Sequence, residues 1–438
     1  MNRFRPAFRL RPLAVLLAFA GVAAVAACTD NLESDAGCPL LCPGQDVALR
    51  DTVLDAVMVD SSVAGFPAIG TESYLLIGTR GDTTDTRGIF RFDSLPTTFR
   101  RSGVLVDSAI QAVDSAYLLL RVDTLITKPG APVTVSVYDV ETGSTDSSAT
   151  DTTVAVLAPL FRADRLLGSA TFAPDSLTDT LRVPIVSDSL LAFITANKRL
   201  RLGVQVTGTN RAELLIGSSN SAQAAEITFK PVAAGDTTGV PPMTVLLRSY
   251  TPVGTRLASN LLDYLIVVKS PPAAAVPVVA VGGLPGRRLY LRFNLPPGIV
   301  DSSTILRATL ELHQVANPGA PDASDSVVVL PQAVLASAAV TDLTRALSII
   351  ADPGDVGLGT QVRFAPADSG LREFEMVQLV RAWHQNLVPA DPRALAIRTQ
   401  LEGVSAALFW FSASDGPLAL RPRIHVTYVP RGAGGGAP

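Results

Sequence analysis

Few residues of this chain have the type and spacing that catalysis requires. The three histidines, His313, His384 and His425, lie far apart in the sequence, and no His-Glu-x-x-His, Gly-x-Ser-x-Gly, phosphate-binding or dinucleotide motif occurs. Glu373 and Glu375 are two residues apart and would share one face of a strand. Paired carboxylates can serve as acid and base, although a solvated strand face has the same pattern. The sequence therefore predicts no catalytic centre, no metal site and no cofactor.

Cys28 is the residue with the clearest chemical context. Four arginines lie within the first 11 residues, and Leu13–Ala27 is an uncharged apolar run of 15 residues, which suits a secretory leader better than a membrane span. The run ends in Val25-Ala26-Ala27-Cys28, which resembles a bacterial lipobox, where the leader (residues 1–27) is removed and Cys28 is acylated. The alternative is an ordinary leader cut at the alanines. Thr29, and not Asp, follows the cysteine. By resemblance to enteric sorting signals this favours the outer membrane, so we expect an outer-membrane lipoprotein, periplasmic or surface-exposed.

Cys38 and Cys42 are the other two cysteines. An exported protein can form disulfides, and this spacing would close only a small loop with little stabilisation. A zinc site needs about four ligands, and no His or further Cys is near. A local Cys38–Cys42 disulfide is predicted, with free thiols as the alternative, inside a polar tether that spans residues 28–45.

Composition points to an all-β protein that does not bind nucleic acid. Removal of residues 1–27 takes away four arginines and no acid, so the net charge moves from −3 to −7. A mildly acidic chain lacks the basic surface that nucleic acid requires. Asp, Ser, Thr, Gly and Pro are abundant while Glu and Lys are scarce, which is typical of many strands joined by turns.

Two stretches about 200 residues apart repeat one pattern. Gly88–Pro96 and Leu289–Pro296 each alternate large apolar and polar residues and then end in Leu-Pro or Ser-Leu-Pro. This pattern predicts a strand with one buried face, with Phe92 and Phe293 in equivalent buried positions. Neighbouring matches keep the same order, namely Tyr74–Ile77 with Tyr264–Val267, Asp114–Leu120 with Ile305–Leu312, Leu190–Phe193 with Val380–Trp383, and Ile227–Phe229 with Ile424–Tyr428. The chain is therefore predicted to contain one module twice.

The predicted fold class is all-β, with two tandem antiparallel β-sandwich or jelly-roll domains behind the leader. The first domain is predicted over residues 46–231 and the second over 243–430. A Gly/Pro-containing linker at 232–242 separates them, and a Gly-rich tail follows at 431–438. Pro271–Pro285 is predicted to be an irregular insertion.

The second half also resembles a known family. The shared features are an Arg-Phe-Asn strand, an Ala-x-Leu strand, a Leu-Val-x-x-Trp segment, a Phe-Ser strand and an Arg-Pro-x-Ile-x-Val-x-Tyr strand. In this chain they are Leu291–Asn294, Leu306–Leu310, Leu379–Trp383, Phe411–Ser412 and Arg421–Tyr428. This order resembles the DNRLRE domains, extracellular β-sandwich modules of bacteria. The resemblance implies relatives that bind carbohydrate beside polysaccharide-degrading enzymes.

These observations favour a non-catalytic envelope lipoprotein that binds or scaffolds. Its expected partners are the membrane, through the lipid anchor, and polysaccharide or other envelope proteins. A polysaccharide lyase or hydrolase and a purely structural envelope protein remain the alternatives. Sugar rings usually stack on exposed aromatic side chains, so Trp410, Tyr74 and Tyr264 are the residues whose exposure matters.

Overall fold

The fold is all-β, with two antiparallel β-sandwiches. The computed structural model describes residues 49–92, 95–100, 106–124, 129–142, 153–221, 223–233, 243–246, 262–271, 277–320, 323–334, 340, 343–348, 361–384, 393–400 and 402–430. The predicted leader, tether and tail, and most of the predicted linker, lie outside these residues. We call the two sandwiches module one and module two and define them by their strands.

Module one contains two facing sheets. Its strands are β2 (Tyr74–Arg80), β3 (Thr84–Phe92), β4 (Thr98–Phe99), β5 (Ser108–Ala109), β6 (Ala112–Arg121), β7 (Val133–Asp139), β8 (Leu166–Phe172), β9 (Thr180–Ile185), β10 (Leu200–Gly208), β11 (Arg211–Gly217), β12 (Glu226–Val232), β13 (Met243–Leu246) and β14 (Asp263–Lys269). One sheet has the order β11-β2-β3-β10-β7-β8, with β14 also on β3, and the other has the order β13-β12-β6-β9. The short pair β4–β5 stands apart.

Module two is a single ten-stranded sheet that folds over itself. Its strands are β1 (Arg50–Phe66), β15 (Val278–Gly282), β16 (Gly286–Phe293), β17 (Ser303–Val315), β18 (Val327–Ala333), β19 (Val362–Phe364), β20 (Gly370–Glu375), β21 (Arg393–Thr399), β22 (Leu408–Ser412) and β23 (Arg423–Pro430). The order is β1-β23-β17-β22-β15-β16-β21-β18-β19, with β20 on β17 and with β1 also on β16.

Helices are few and short, as the scarcity of Glu and Lys predicts. They are α1 (Val154–Leu157), α2 (Ser187–Thr195), α3 (Pro297–Val300), α4 (Leu343–Ser348) and α5 (Val377–His384), with 3-10 turns at Ala158–Leu160, Ala163–Arg165, Pro174–Ser176 and Leu418–Leu420. α4 and α5 both carry apolar residues at helical spacing, Leu343 and Leu347 in α4 and Leu379 and Trp383 in α5.

Each module has its own core between its layers. In module one, Phe90 from one sheet and Leu118 from the other belong to the same buried cluster. In module two, Leu291 and Leu310 share a second cluster. Phe92 and Phe293 are both buried, one in each core, as the repeated block predicts. Alternating apolar residues thus form the two cores, in which burial of a large side chain contributes roughly 1.5–3 kcal/mol.

The strand pairing crosses the predicted domain boundaries in both directions. β1 precedes module one in sequence but pairs with module two, since residues 50–55 lie on β23 and residues 56–66 lie on β16. β13 and β14 follow the predicted linker but pair with β12 and β3 of module one. The predicted domains at 46–231 and 243–430 therefore place each of β1, β13 and β14 in one half of the chain, while that strand pairs with the module of the other half. Alternation marks which face of a strand is buried but not which sheet edge it joins.

Two predictions about single segments are wrong, one drawn from the repeat and one from composition. Tyr74–Ile77 lies in β2, which pairs with β11, whereas Tyr264–Val267 lies in β14, which pairs with β3. These two stretches hold different places in the fold. The predicted irregular insertion at Pro271–Pro285 contains β15, which pairs along its whole length with β22.

Candidate functional site

A cavity of about 500 Å³ lies where the two modules meet. We call it the junction cavity. It is lined by the end of β1 and the loop after it, by β14, by the β15–β16 turn, by α4 and by single residues of other loops, namely Gly65, Phe66, Pro67, Ala68, Ile69, Glu72, Thr153, Val154, Leu265, Ile266, Val267, Ser270, Leu284, Pro285, Leu343, Leu347 and Gly403. Both exchanged strands contribute, so the crossing of β1 and β14 creates the cavity.

The lining of the junction cavity is apolar with one ionisable residue, Glu72. Thr153 and Ser270 are its other polar side chains. Sites for small molecules have volumes of about 300–1,000 Å³ and combine apolar walls with a few polar groups. The junction cavity has both properties.

The main chain around Glu72 is fixed by two polar side chains. The Ser218 hydroxyl donates to the Glu72 carbonyl oxygen, and Asn220 Nδ2 donates to the Gly70 carbonyl oxygen at 2.7 Å. The side chain is buried, and its Oε2 has no hydrogen-bond partner in the part of the chain that the structure describes. The loop before β2 therefore fixes a buried carboxyl group, one oxygen of which has no hydrogen-bond partner among the described residues.

The electrostatic surroundings of Glu72 are unusual. Burial is the largest influence and raises the pKa of Glu72 from 4.5 to about 7, with a further increase from the charge of Asp263. Backbone N–H groups, including that of Leu265, act in the opposite direction. The carboxyl group of Glu72 therefore changes its charge near neutral pH.

Asp263 is the second buried acid of this region. It begins β14, and its Oδ2 and Oδ1 accept hydrogen bonds from the Ser219 backbone N–H (2.6 Å) and hydroxyl (2.7 Å). Burial raises the pKa of Asp263, and the Ser219 hydrogen bonds oppose that rise. Both oxygens of Asp263 thus have partners within module one.

An arginine packs against Phe66, one of the residues that line the cavity. Arg288 donates from Nε and Nη2 to the two carboxylate oxygens of Glu402, at 2.6 and 2.5 Å, and its guanidinium lies 3.9 Å from the Phe66 ring centroid. Burial raises the pKa of the neighbouring Tyr290 to about 12 and lowers that of Arg398. Arg288 and Glu402 therefore form a neutralised ion pair, and the Arg288 guanidinium stacks on Phe66, the last residue of β1.

The residues singled out from sequence are not brought together. Cys28, Cys38 and Cys42 lie outside the described residues. His313 and His425 lie on β17 and β23, and His384 ends α5. His425 Nδ1 lies 3.8 Å from Glu311 and its Nε2 lies 3.9 Å from Asp51. Glu373 and Glu375 are exposed on one face of β20, as a solvated strand face would be.

The aromatic residues do not form an exposed platform. Trp383 and Tyr264 are buried, while Trp410 and Tyr74 are half-buried. The large apolar side chains that are exposed in the described part of the chain are all aliphatic.

Sequence reasoning missed Glu72 and Asp263. Asp263 interrupts the apolar run Leu261–Val268, and a lone acid in such a run is a signal of a buried carboxyl group. Glu72 had no such signal.

Among the described residues, no three His, Cys, Asp or Glu side chains are grouped as a metal would need. No described helix has the length and hydropathy of a membrane span.

Comparison with known proteins yields no family. No family model matches the chain, and no curated protein matches it. Solved structures give weak similarities. One is "Recombinant peptide: N-glycanase F (PNGase F)", at 11% identity and TM-score 0.16, covering 79% of this chain and 96% of that one. Another is the CBM22-1-CBM22-2 tandem domain from Paenibacillus barcinonensis Xyn10C, at 8% and 0.15, covering 86% and 98%. Scores this low carry no argument about function.

Proposed function

We propose that this chain is a non-catalytic envelope lipoprotein whose two β-sandwich modules act together in binding or scaffolding. The observation that supports this best is the reciprocal exchange of strands, which ties two modules of the same strand plan into one body. Two similar surfaces on one body gain affinity for a repeating polymer through avidity. Polysaccharide is the first ligand class to test, because the second half resembles the DNRLRE domains.

The lipid anchor is the second part of the proposal. The arginines, the apolar run and Cys28 support export and acylation, and two or three acyl chains anchor a protein firmly. We expect Cys28→Ser to give an exported protein that is uncleaved or soluble. Membrane fractionation and mass spectrometry of the mature N-terminus provide the measurement. Complete retention of the variant in the membrane fraction would contradict the anchor.

The binding role is tested by retention and turnover together. We expect residues 46–430, which contain every described element, to be retained on acidic or neutral polysaccharides without releasing product. Bovine serum albumin on the same supports is the control. Absence of both retention and product would leave the purely structural role.

One observation favours an enzyme as a second candidate. The pKa of Glu72 is about 7, which is where a general acid or base works best, and Glu72 lines a cavity. The candidate reaction is hydrolysis or elimination on a polysaccharide. Product release by the wild type, abolished in Glu72→Gln, would establish this alternative.

A further inference from the structure

We propose that the junction cavity binds an organic cation, a protonated amine carried on an apolar body. This inference goes beyond the binding role proposed above. It requires neither a lipid at Cys28 nor affinity for polysaccharide, so failure of those tests would leave it standing.

The apolar body is indicated by the walls of the cavity. Leu265, Ile266 and Val267 from β14 line the cavity together with Leu343 and Leu347 from α4. A cavity of about 500 Å³ lies within the usual range for small-molecule sites. Transfer of a hydrocarbon chain from water to such walls is favourable in proportion to the apolar area buried.

The positive charge is indicated by the partners of the buried acids. Glu213 is 2.6 Å from Arg80 and 3.1 Å from Arg211, and Glu311 is 2.5 Å from Arg423. Asp263 has two hydrogen bonds from Ser219. These buried carboxylates are compensated, as the cost of burying a charge requires.

Glu72 is the exception within the described part of the chain. Its Oε2 is buried without a hydrogen bond, and the charge that acts on it is the like charge of Asp263. An ammonium group bound in the cavity that Glu72 lines would supply the missing positive charge. The ligand therefore completes a pair that the chain leaves half-formed.

Other ligand classes fit less well. Calcium takes six to eight oxygen ligands, and both oxygens of Asp263 are already occupied by Ser219. That leaves Glu72 as the one carboxylate lining the cavity, which is too few ligands for a divalent ion. An anion would meet the Glu72 carboxylate and is repelled. A neutral alcohol has a hydrogen-bond donor but brings no positive charge to Glu72.

Titration calorimetry with three probes of equal chain length tests the charge. The protein is the chain from residue 28 to 438 with Cys28→Ser, at pH 8, and the probes are octylammonium, octanol and octanoate below their micelle concentrations. We expect octylammonium to bind at a ratio of 1:1 and at least tenfold more tightly than octanol, with octanoate weaker still. Equal affinities for octylammonium and octanol, or tighter binding of octanoate, would overturn the proposal.

Matched variants locate the charge effect. Glu72→Gln keeps the shape of the side chain and should reduce the preference for octylammonium over octanol to less than threefold. Glu373→Gln, on the exposed face of β20, should leave the preference unchanged. An undiminished preference in Glu72→Gln would overturn the proposal.

A second pair of variants locates the apolar part. Leu347 is 43% exposed and lines the cavity, so Leu347→Trp should fill it and weaken octylammonium binding at least tenfold. Leu371, 48% exposed on β20, provides the control Leu371→Trp. Equal binding by the two variants would place the ligand elsewhere and overturn the proposal.

A measurement on the unmutated residues keeps the proposal testable if a variant misfolds. Carboxyl-carbon NMR follows Glu72 together with Asp263, the other titratable group whose charge acts on it. Saturation with octylammonium should lower the pKa of Glu72 by at least one unit, because a bound cation favours the ionised form. An unchanged or higher pKa would overturn the proposal.

Discussion

Modules one and two share one strand plan although their sequences differ. The pairings β2–β3, β3–β10, β10–β7 and β7–β8 of module one correspond to β15–β16, β16–β21, β21–β18 and β18–β19 of module two. In the other layer, β12–β6 and β6–β9 correspond to β17–β23 and β17–β20. α2 and α5 occupy the same place in this order. The correspondence of pairing partners supports a duplication.

The modules differ in the source of the strand that completes them. Module one takes β13 and β14, two segments from the chain that follows it, whereas module two takes β1, one strand of 17 residues from the N-terminus. β1 pairs first with β23 and then with β16, as β13 and β14 pair with β12 and β3. β1 is thus the first strand of the first repeat but pairs in module two. β13 and β14 are the first strands of the second repeat but pair in module one. The exchange makes the fold of each module depend on the other.

An equivalent arginine is used differently in the two modules. If Phe92 is matched to Phe293, then Arg87 corresponds to Arg288. Arg87 pairs with Asp85 at 2.7 Å in its own strand and lies 4.7 Å from the Phe161 ring centroid. Arg288 pairs with Glu402 and stacks on Phe66 of the exchanged strand. The same position therefore supports local structure in module one and the attachment of β1 in module two.

Removal of β1 should have the largest effect on this comparison. A chain that begins at residue 67 lacks the partner of both β23 and β16, so we expect module two to lose its cooperative fold while module one keeps its own. Hydrogen exchange should show loss of protection in β16 and β23. A synthetic peptide of residues 50–66 should restore it. Full protection of module two without β1 would contradict the exchange.

Truncation of the two equivalent phenylalanines should have the next largest effect. Phe92→Ala and Phe293→Ala each leave a cavity in a buried core, and we expect each to lower the free energy of unfolding by roughly 3–5 kcal/mol. Urea unfolding, followed by module-specific hydrogen exchange, measures both. A cost below about 1 kcal/mol for either variant would mean that the two positions are not equivalent.

Sequence alone predicted the strands but not their exchange. The blocks ending at Phe92 and Phe293 are long, alternate clearly and were placed correctly in β3 and β16. The apolar run Tyr264–Val267 was matched to the wrong strand, because short apolar runs resemble one another and pairing partners are set by the tertiary fold. β15 was missed because Pro, Ala and Gly around it dilute the alternation.

The candidate site could not be predicted for the same reason. Glu72 and Leu265 are 193 positions apart in sequence numbering, and they line one cavity only because β14 crosses to module one. No local pattern encodes that crossing. A buried acid is also inconspicuous in a chain with 39 acidic residues.

Replacement of the equivalent arginines should separate their roles. Arg288→Met leaves Glu402 buried without its cation, and we expect a loss of about 3 kcal/mol. Arg87→Met should cost only about 1 kcal/mol, because Asp85 is more exposed to water and the pair lies within one strand. Urea unfolding of both variants gives the comparison. Equal losses would show that attachment of β1 does not depend on Arg288.

The smallest expected effect is a pH dependence confined to module one. Module two has a valine where module one has Asp263. Asp263 pairs with Phe90 in module one, and at the corresponding position of module two Val59 pairs with Leu291. The pKa of Glu72 in the folded protein, about 7, is above its ordinary value of 4.5. Between these values the folded protein binds more protons than the unfolded chain. The stability that Glu72 provides is therefore complete below pH 4.5 and is lost as the pH rises through 7, and the raised pKa of Asp263 acts in the same direction.

From pH 5 to pH 7 we expect Glu72 to account for a loss of about 2 kcal/mol, measured by hydrogen exchange in β2, β3 and β14. Glu72→Gln should remove that loss while Glu373→Gln retains it, and an equal slope in module two would show that the two modules do not differ in this respect.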